Sequence, residues 1–204
     1  MKAAVFKNLG QPLQVEQVPD PTPDETELVV RVAYCGICGT DLHSTREGAF
    51  AAECDSILGH EFCGEVAEVG SGVKDQWQIG DRVTALPFIG CGHCVACVTG
   101  RPFECGQVKL TGMNTPGGFA EYVKTGSSET LKLPDDLSMQ SAALIEPLAV
   151  GLHAVRIAQL KAGERVLIIG GGPVGLAVSL WCQFFGARDV LVSEFAEQRL
   201  ALAQ

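Results

Sequence analysis

The first part of the chain carries short apolar runs that are separated by turn-forming residues. The runs are rich in β-branched side chains, and proline, glycine and aspartate fill the gaps between them, which is typical of strands joined by turns. Many short strands with frequent turns predict a barrel-like β fold with irregular loops. The predicted strands are Lys2–Phe6, Leu28–Cys35, Gly64–Val69 and Arg82–Leu86.

The pattern changes after Leu133, where helical segments begin to alternate with continuous apolar runs. Ser138 is a candidate N-cap for a short helix, and Pro147 fits the first turn of a second helix. The later alternation around a glycine-rich turn indicates the β-α-β-α opening of a doubly wound domain. The predicted elements are helices over Met139–Ile145 and from Pro147 through Val155, strands Arg165–Ile169 and Asp189–Ser193, and helices Val174–Phe185 and Ala196–Gln204.

This organisation predicts an α/β protein in which residues 1–151 form a β-rich domain and residues 152–204 begin a second, doubly wound domain. The apolar run Arg165–Ile169 is expected to be buried on both faces, as strands of parallel sheets are. Two parallel strands and one helix cannot bury their own faces, and both strand edges stay open. We therefore expect the second domain to be truncated.

Composition and charge narrow the classes of function. The chain has 204 residues, 47% of them hydrophobic, and a net charge of −9. That charge offers no basic surface for phosphates, so no nucleic-acid partner is expected. The chain begins without a signal-like apolar segment, and no stretch approaches the roughly 18 apolar residues of a membrane helix. We expect a cytoplasmic protein without a membrane partner.

A cluster of cysteines is the most specific chemical signal in the sequence. Four of the nine cysteines fall in one segment, with the spacing Cys91-x-x-Cys94-x-x-Cys97 followed by Cys105. Four thiolates complete the tetrahedral shell of a zinc ion and leave no position for water, which predicts a structural zinc site in a lobe of about residues 87–108. His93 lies inside the cluster, and we expect it to face solvent because the sulfurs suffice.

A second set of metal donors is spread along the chain. Cys38, His60-Glu61 and Glu146 together offer one sulfur, one imidazole and carboxylates, and three such ligands with one open position predict a catalytic zinc. Alternatives remain open for two members. The pair Cys35-x-x-Cys38 is also typical of redox thiols, half a zinc site or core residues. Glu146 precedes Pro147 and would also complement a helix dipole. The other scattered cysteines, Cys54, Cys63 and Cys182, are expected to be small buried side chains.

A glycine pattern marks the second domain. Gly170-x-Gly172-x-x-Gly175 follows a predicted strand and opens a helix, the context in which such glycines approach a pyrophosphate. Glu194 ends the next strand, where an acidic residue binds the ribose hydroxyls and disfavours a 2′-phosphate, which predicts NAD rather than NADP. An ordinary surface glutamate is the alternative. The other candidate cofactor-binding residues are Pro173, Val174 and Arg199.

These residues together resemble the zinc-containing medium-chain dehydrogenases over nearly the whole chain. The resemblance implies a GroES-like first domain and a Rossmann second domain. It also implies a catalytic zinc held by Cys38 and His60 and completed by Glu61 or Glu146. The matching stretches are Cys38-Gly39-Thr40-Asp41-Leu42-His43, Gly59-His60-Glu61, the four-cysteine lobe, Glu146-Pro147-Leu148-Ala149-Val150 and Gly170-Gly171-Gly172-Pro173-Val174-Gly175.

The same resemblance implies a reaction. The alcohol oxygen would bind zinc and pass its proton through Thr40 towards His43, while the hydride moves to NAD. Glutamate at position 146 is similar to the sorbitol, butanediol and threonine dehydrogenase branch, which favours a polyol, vicinal diol or hydroxy-amino acid over ethanol. The expected small-molecule substrate is therefore a secondary alcohol or vicinal diol. Members of the family are dimers or tetramers, so a homo-oligomer is expected of the full-length form.

Two other functions remain as alternatives. Members of the family are longer than this chain, so the residues belong to a fragment of such an enzyme or to a non-catalytic, zinc-binding remnant, and turnover by residues 1–204 alone is not expected. A zinc-ribbon that binds nucleic acid would need basic residues around the cysteine lobe. Only Arg101 and Lys109 stand near it in the sequence, so this alternative ranks last.

Overall fold

A computed structural model describes residues 1–51 and 53–202 of the chain. The chain divides into two compact units, Met1–Ala143 and Leu144–Gln204. The sequence placed the boundary after residue 151, inside a helix that the structure assigns wholly to the second unit. The boundary lies earlier because this helix, Ile145–Ile157, packs against a later helix of the second unit.

The first unit consists of short strands, short helices and 3₁₀ turns. Its strands are β1 Lys2–Phe6, β2 Gln14–Gln17, β3 Glu27–Gly36, β4 Ser56–Ile57, β5 Glu61–Val69, β6 Arg82–Ala85, β7 Phe88–Ile89, β8 Lys109–Leu110, β9 Tyr122–Gly126 and β10 Thr130–Lys132. Its helices are α1 Gly39–Glu47, α2 Val95–Val98 and α3 Met139–Ala142, and its 3₁₀ turns are Ala49–Ala51, Pro102–Glu104 and Ser127–Glu129.

All strand pairs of the first unit's sheets are antiparallel. Five strands form one sheet in the order β10-β6-β5-β3-β9, three form a second in the order β2-β1-β4, and β7 pairs with β8 alone. β3 lies between β5 and β9, and its pairing with β5 is interrupted by two register shifts. The sheets are built from short strands separated by turns, as the alternation of apolar runs and turn-forming residues predicted.

The core of the first unit lies against the five-stranded sheet. Alternate residues of β3 point inward, as the period of two along a strand requires. Leu28, Val30, Phe62 and Val66 from β3 and β5 meet Trp77 in this cluster, and all are at most 8% exposed. The packing of these apolar residues thus fixes the register of β3 against β5, including the ends of both strands.

The second unit contains α4 Ile145–Ile157, β11 Arg165–Ile169, α5 Pro173–Phe184, β12 Asp189–Ser193 and α6 Glu197–Leu202. β11 and β12 are parallel, and α5 is the crossover between them. Gly151 on α4 lets that helix approach α5, because a Cβ there would come within 2.7 Å of the Cβ of Ala177. The Nε1 of Trp181 donates to the carbonyl of Leu148 at 2.7 Å and links the same two helices.

β11 is buried on one face only, as expected of two parallel strands and one helix that cannot bury their own faces. Ile168 is buried and faces α5, whereas Leu167 is 63% and Ile169 is 84% exposed. Among the described residues, β11 pairs only with β12 and packs against α5, so one face has no covering layer. An apolar run alone indicates that a strand is suited to burial. It does not indicate that a covering layer is present on each face of the sheet.

Several element limits also differ from those predicted. Ser138 caps α3 as expected, accepting the N–H of Ser141 at 3.1 Å, but the helix ends at Ala142 and a new one starts at Ile145, two residues before Pro147. α6 starts at Glu197; the predicted extension over Ala203 and Gln204 lies outside the described residues. Cys54 is exposed rather than buried, because it lies on the loop before β4, whereas Cys63 and Cys182 are buried as expected.

None of the helices in the described part of the chain is long and apolar enough to cross a membrane.

The close approach of β3 and β5 at Gly64 gives a first test of this fold. A Cβ on Gly64 would overlap the carbonyl oxygen of Arg31 on β3. We expect Gly64→Ala to lower the free energy of unfolding by about 3 kcal/mol, the upper range for overpacking. Gly106→Ala is the control, because a Cβ there meets nothing within 4 Å. Urea denaturation of both variants measures the difference, and equal stabilities would contradict the β3–β5 packing.

Candidate metal centres and cofactor loop

The four-cysteine lobe lies between β7 and β8. Its ligand atoms, the sulfurs of Cys91, Cys94, Cys97 and Cys105, all lie within 4.8 Å of one another. Cys97 Sγ is 4.0 Å from Cys91 Sγ and 3.6 Å from Cys94 Sγ. Zinc–sulfur bonds of about 2.3 Å put the sulfurs of a tetrahedral site about 3.8 Å apart. The donor atoms therefore fit a tetrahedral ion closely, and the prediction that these residues gather at one point agrees with the geometry.

The thiols of the lobe are electrostatically unequal. Backbone N–H groups of His93 and Cys94 point at Cys91 and lower its pKa to about 6, while burial raises the pKa of Cys97 to about 12. A thiolate among thiols is a suitable first ligand for a cation. His93 is exposed and its Nδ1 lies 2.8 Å from the carbonyl oxygen of Cys91, so it faces away from the sulfurs as predicted.

The second donor group forms where β3 ends and β5 begins. Gly36 pairs with Glu61 across the antiparallel ladder, which brings Cys38, just after β3, to His60, just before β5. The ligand atoms of Cys38, His60 and Glu61 lie within 4.8 Å of one another. Glycine at position 36 leaves room for the Glu61 carboxylate in its present position, because a Cβ there would overlap it. One sulfur, one nitrogen and one oxygen donor leave the fourth position of a tetrahedral ion open.

The environment of this group separates the two cysteines of the Cys-x-x-Cys pair. A hydrogen bond with His60 lowers the pKa of Cys38, whereas burial raises the pKa of Cys35 to about 12. Burial also raises the pKa of Glu61. The Sγ of Cys35 contacts the carbonyl of Gly36, and the side chain packs against the core of the five-stranded sheet. The pair is therefore one candidate ligand and one core thiol.

Asp41 contacts both chain segments that form this donor group, the one with Cys38 and the one with His60. The sequence analysis did not single it out. Its side chain is 5% exposed, and its Oδ2 accepts the N–H of Cys38 at 2.9 Å. Its Oδ1 accepts the N–H of Gly59 at 3.3 Å and lies 3.7 Å from Nδ1 of His60. The available signal was a capping box, since Asp41 is three residues after Cys38, the N-cap of α1.

Helix α1 carries the two residues expected to move a proton. Thr40 Oγ1 lies 3.5 Å from the Sγ of Cys38, and His43 follows three residues later on the same helix face. His43 is 57% exposed and its Nδ1 lies 3.1 Å from a carboxylate oxygen of Glu47. Thr40 is thus beside the donor group and His43 at the solvent, in the order that a path from the site to water requires.

Glu146, the remaining candidate ligand, lies in the second unit, in the first turn of α4. A carboxylate in that turn also interacts favourably with the positive end of the helix dipole. Its role as a ligand stays a prediction.

The glycine loop of the second unit joins β11 to α5. Gly170 has φ of +103°, a conformation suited to glycine, and a Cβ on Gly175 would overlap the carbonyl of Gly170. Gly172 is the N-cap of α5 and Pro173 its first residue, followed by Val174. The first N–H groups of this twelve-residue helix therefore face the loop, which is the arrangement that binds phosphate groups.

The Glu194 carboxylate is turned onto this loop. Its oxygens accept the N–H groups of Gly171 at 2.8 Å, Phe195 at 2.8 Å and Ala196 at 2.9 Å. These backbone bonds, that of Ala196 foremost, lower the pKa of Glu194, with a contribution from Arg199, whose Nη1 is 3.9 Å from the carboxylate. The side chain is therefore fixed and charged beside the glycines rather than extended into solvent.

Comparison with known families and proteins agrees with this architecture. The sequence profile of the alcohol dehydrogenase GroES-like domain matches residues 24–135. Among curated proteins, the sorbitol dehydrogenase of Bacillus subtilis is 40% identical over 210 residues, which cover 100% of this chain and 58% of that protein. The chain thus spans somewhat more than half the length of this relative.

Solved structures of dehydrogenases also match the fold of this chain. Galactitol-1-phosphate dehydrogenase from Escherichia coli superimposes with a TM-score of 0.90 at 35% identity, covering 100% of this chain and 58% of that one. A protein assigned as a zinc-binding dehydrogenase from Sinorhizobium meliloti, bound to NADP, superimposes with a TM-score of 0.89 at 39% identity, covering 99% and 58%. The predicted fold class, a GroES-like domain followed by part of a Rossmann domain, is confirmed.

The contacts of Asp41 give a test of the second donor group. Asp41→Asn removes the charge and one oxygen acceptor, so we expect zinc affinity at Cys38, His60 and Glu61 to fall by about tenfold or more, as for other outer-shell partners. Affinity at the four-cysteine lobe should not change. Chelator competition, with alkylation of Cys38 and Cys91 followed by mass spectrometry, separates the two groups.

Glu47→Gln is the control, because it removes an exposed carboxylate from the same helix without touching Cys38 or His60. Equal zinc affinity in the two variants would show that Asp41 does not support the donor group.

Proposed function

Because this chain belongs to the zinc-containing medium-chain dehydrogenases, we propose that it forms part of a zinc-dependent dehydrogenase that oxidises a secondary alcohol or polyol with NAD. The observation that carries the proposal is the convergence of Cys38, His60 and Glu61 beside the hydroxyl of Thr40. Sorbitol dehydrogenase and galactitol-1-phosphate dehydrogenase are similar proteins named for polyols, which supports that substrate class.

Two zinc sites of different character are proposed. Cys91, Cys94, Cys97 and Cys105 would hold a structural ion, since four sulfurs complete its shell. Cys38 and His60, with Glu61 or Glu146 as the third ligand, would hold a catalytic ion. Such an ion is a Lewis acid that makes an alcohol hydroxyl easier to deprotonate.

The residues of α1 would carry the released proton. The Thr40 hydroxyl both accepts and donates hydrogen bonds, so it can take a proton from the substrate and pass one on. His43, one turn further on the same helix face, is exposed beside Glu47 and can transfer the proton to solvent. Asp41 keeps Thr40 in place indirectly, because its carboxylate fixes the N-terminus of the helix at Cys38.

The second unit would bind the cofactor, which accepts the hydride. Gly170, Gly172, Pro173, Val174 and Gly175 would place backbone N–H groups around the pyrophosphate. Glu194, with Arg199 beside it, would meet the adenosine ribose. A fixed carboxylate repels a 2′-phosphate and favours NAD. The similar protein from Sinorhizobium meliloti was solved with NADP.

Activity should depend on the hydroxyl of Thr40. Thr40→Val keeps the shape but removes the proton path, and we expect kcat to fall by about 100-fold, in the range for lost general acid–base catalysis. Thr40→Ser keeps the hydroxyl and should retain most activity. Formation of NADH from sorbitol and other polyols, measured on the longest natural polypeptide that contains this chain, gives the rates.

Chelation should abolish the same activity and added zinc should restore it. Turnover by Thr40→Val at the rate of the unsubstituted enzyme would remove Thr40 from the mechanism. Full turnover without metal would overturn the proposed function itself.

Cofactor choice should follow Glu194. In Glu194→Ala the repulsion of a 2′-phosphate and the bond to the ribose are both lost, so the ratio of NAD to NADP affinity should fall by about tenfold, the change produced by one lost hydrogen bond to a charged group. Isothermal titration calorimetry with NAD and with NADP measures the two affinities and so gives their ratio. Glu197→Ala, an exposed carboxylate at the start of α6, is the control. An unchanged ratio in Glu194→Ala would make Glu194 an ordinary loop residue.

A further inference from the structure

The four-cysteine lobe is joined to the rest of the first unit by a very short ladder. β7 and β8 form only the pairs Phe88–Leu110 and Ile89–Lys109, and we call these four residues the neck. All four cysteines lie in the chain between the two strands of the neck. A two-residue antiparallel ladder has little stability of its own. Other contacts must fix the two strands where they enter and leave the lobe.

Glu129 lies beneath the first strand of the neck. It is 7% exposed, in the turn between β9 and β10, and its Oε1 accepts the N–H of Gly90 at 3.4 Å. The carboxylate fits because residue 126 is glycine; a Cβ on Gly126 would overlap it. Gly90 directly precedes Cys91, and its backbone lies close to Cys97, since a Cβ on Gly90 would come within 2.7 Å of the Cys97 sulfur. The backbone that Glu129 contacts therefore lies directly beside the cysteine cluster.

A buried carboxylate at this place is unfavourable for folding. Burial raises the pKa of Glu129, and the N–H of Gly90 only partly offsets that effect. An apolar side chain of the same volume would avoid the desolvation penalty. The presence of a buried glutamate at the base of the lobe thus indicates a task other than stability of the sheet.

Glu27 occupies the corresponding place at the second strand. It is 3% exposed at the start of β3, and its Oε1 accepts a hydrogen bond from Nζ of Lys109 at 3.0 Å. Its Oε2 lies 2.7 Å from Nζ of Lys124 and accepts the N–H of Asp24 at 3.1 Å. Burial acts to raise the pKa of Glu27, but the two lysines outweigh it and lower the pKa to about 2.

The two lysines of Glu27 belong to different parts of the fold. Lys109 is on β8, the strand that leaves the lobe, whereas Lys124 is on β9 of the five-stranded sheet. The ion pair with Lys124 connects neighbouring strands of one sheet. The ion pair with Lys109 connects that sheet to the neck.

We propose that Glu27 and Glu129 form a clamp that holds the two strands of the neck and gathers the four thiols for zinc. Glu129 fixes the strand before Cys91 through Gly90, and Glu27 fixes the strand after Cys105 through Lys109. The clamp slows the loss of the ion because the cysteines cannot separate unless the neck opens. This inference rests on the proposed structural zinc.

The lysine pair supplies a matched test in the zinc-loaded 204-residue protein. Lys109→Met and Lys124→Met each remove one ion pair from Glu27, but only the first releases the neck. During incubation with EDTA and iodoacetamide, mass spectrometry of the peptide that carries all four cysteines reports the loss of zinc. We expect Lys109→Met to lose zinc about tenfold faster and Lys124→Met to stay within about twofold of the unsubstituted protein, following outer-shell substitutions at other metal sites.

A second pair of variants tests Glu129. Glu129→Met keeps the volume but removes the acceptor for Gly90, and we expect accelerated zinc loss. Glu129→Gln keeps an oxygen acceptor and should restore slow loss, a rescue that a packing role would not produce. The buried Cys63 is the internal control in each digest, because it stays unmodified as long as the sheet is folded.

Equal rates for the two lysine variants, or slow loss from Glu129→Met, would overturn the clamp. If the lobe of the unsubstituted protein is alkylated at once in the presence of zinc, the structural zinc itself is absent and the proposed function loses that site. The two failures are distinguishable, because the first leaves the unsubstituted lobe protected.

Discussion

The antiparallel register of β3 and β5 is the constraint on which the second donor group depends. Because Gly36 pairs with Glu61, the chain segments that carry Cys38 and His60 leave the sheet at the same edge. A slip of one residue would turn the Glu61 side chain to the opposite face and separate the donors. The apolar residues that alternate along both strands therefore specify more than a core: they set the distances between donor atoms.

The two donor groups are assembled by different means. The four cysteines come from one short segment, whereas Cys38 follows β3 and His60 precedes β5, so their approach depends on the pairing of two strands. Both groups nevertheless rely on buried carboxylates that bind backbone N–H groups rather than metal. Asp41 does this at the second group, and Glu129 at the base of the lobe. Each positions donors by fixing the backbone on which they are carried.

The sequence predicted those parts whose signal is local. The runs Lys2–Phe6, Arg165–Ile169 and Asp189–Ser193 are strands with the predicted limits, because β-branched residues and bounding turns mark them directly. The donor residues followed from their chemical types and spacing. The strands β7 and β8 could not be predicted, because two residues carry no periodicity and their pairing depends on the return of a distant segment.

The two buried glutamates could not be identified from the sequence for a related reason. A glutamate in a polar stretch, such as Glu27 or Glu129, has the pattern of a solvated side chain, and only the packing around it shows that it is buried. The continuous apolar run of β11 likewise marks a strand suited to burial, but it does not reveal which layers surround that strand. Local pattern indicates which residues carry donor atoms, but it does not reveal the environment that surrounds them.

The neck has an evolutionary consequence. Because β7 and β8 are antiparallel neighbours, their backbones lie about 4.8 Å apart, the spacing at which two strands are normally joined by a tight turn. In topological terms the lobe is a long insertion in the tip of a β-hairpin, residues 90–108 replacing a turn of two. Such an insertion can be acquired, enlarged or lost in a lineage while the sheet beneath it, and the donor group formed by β3 and β5, keep their geometry.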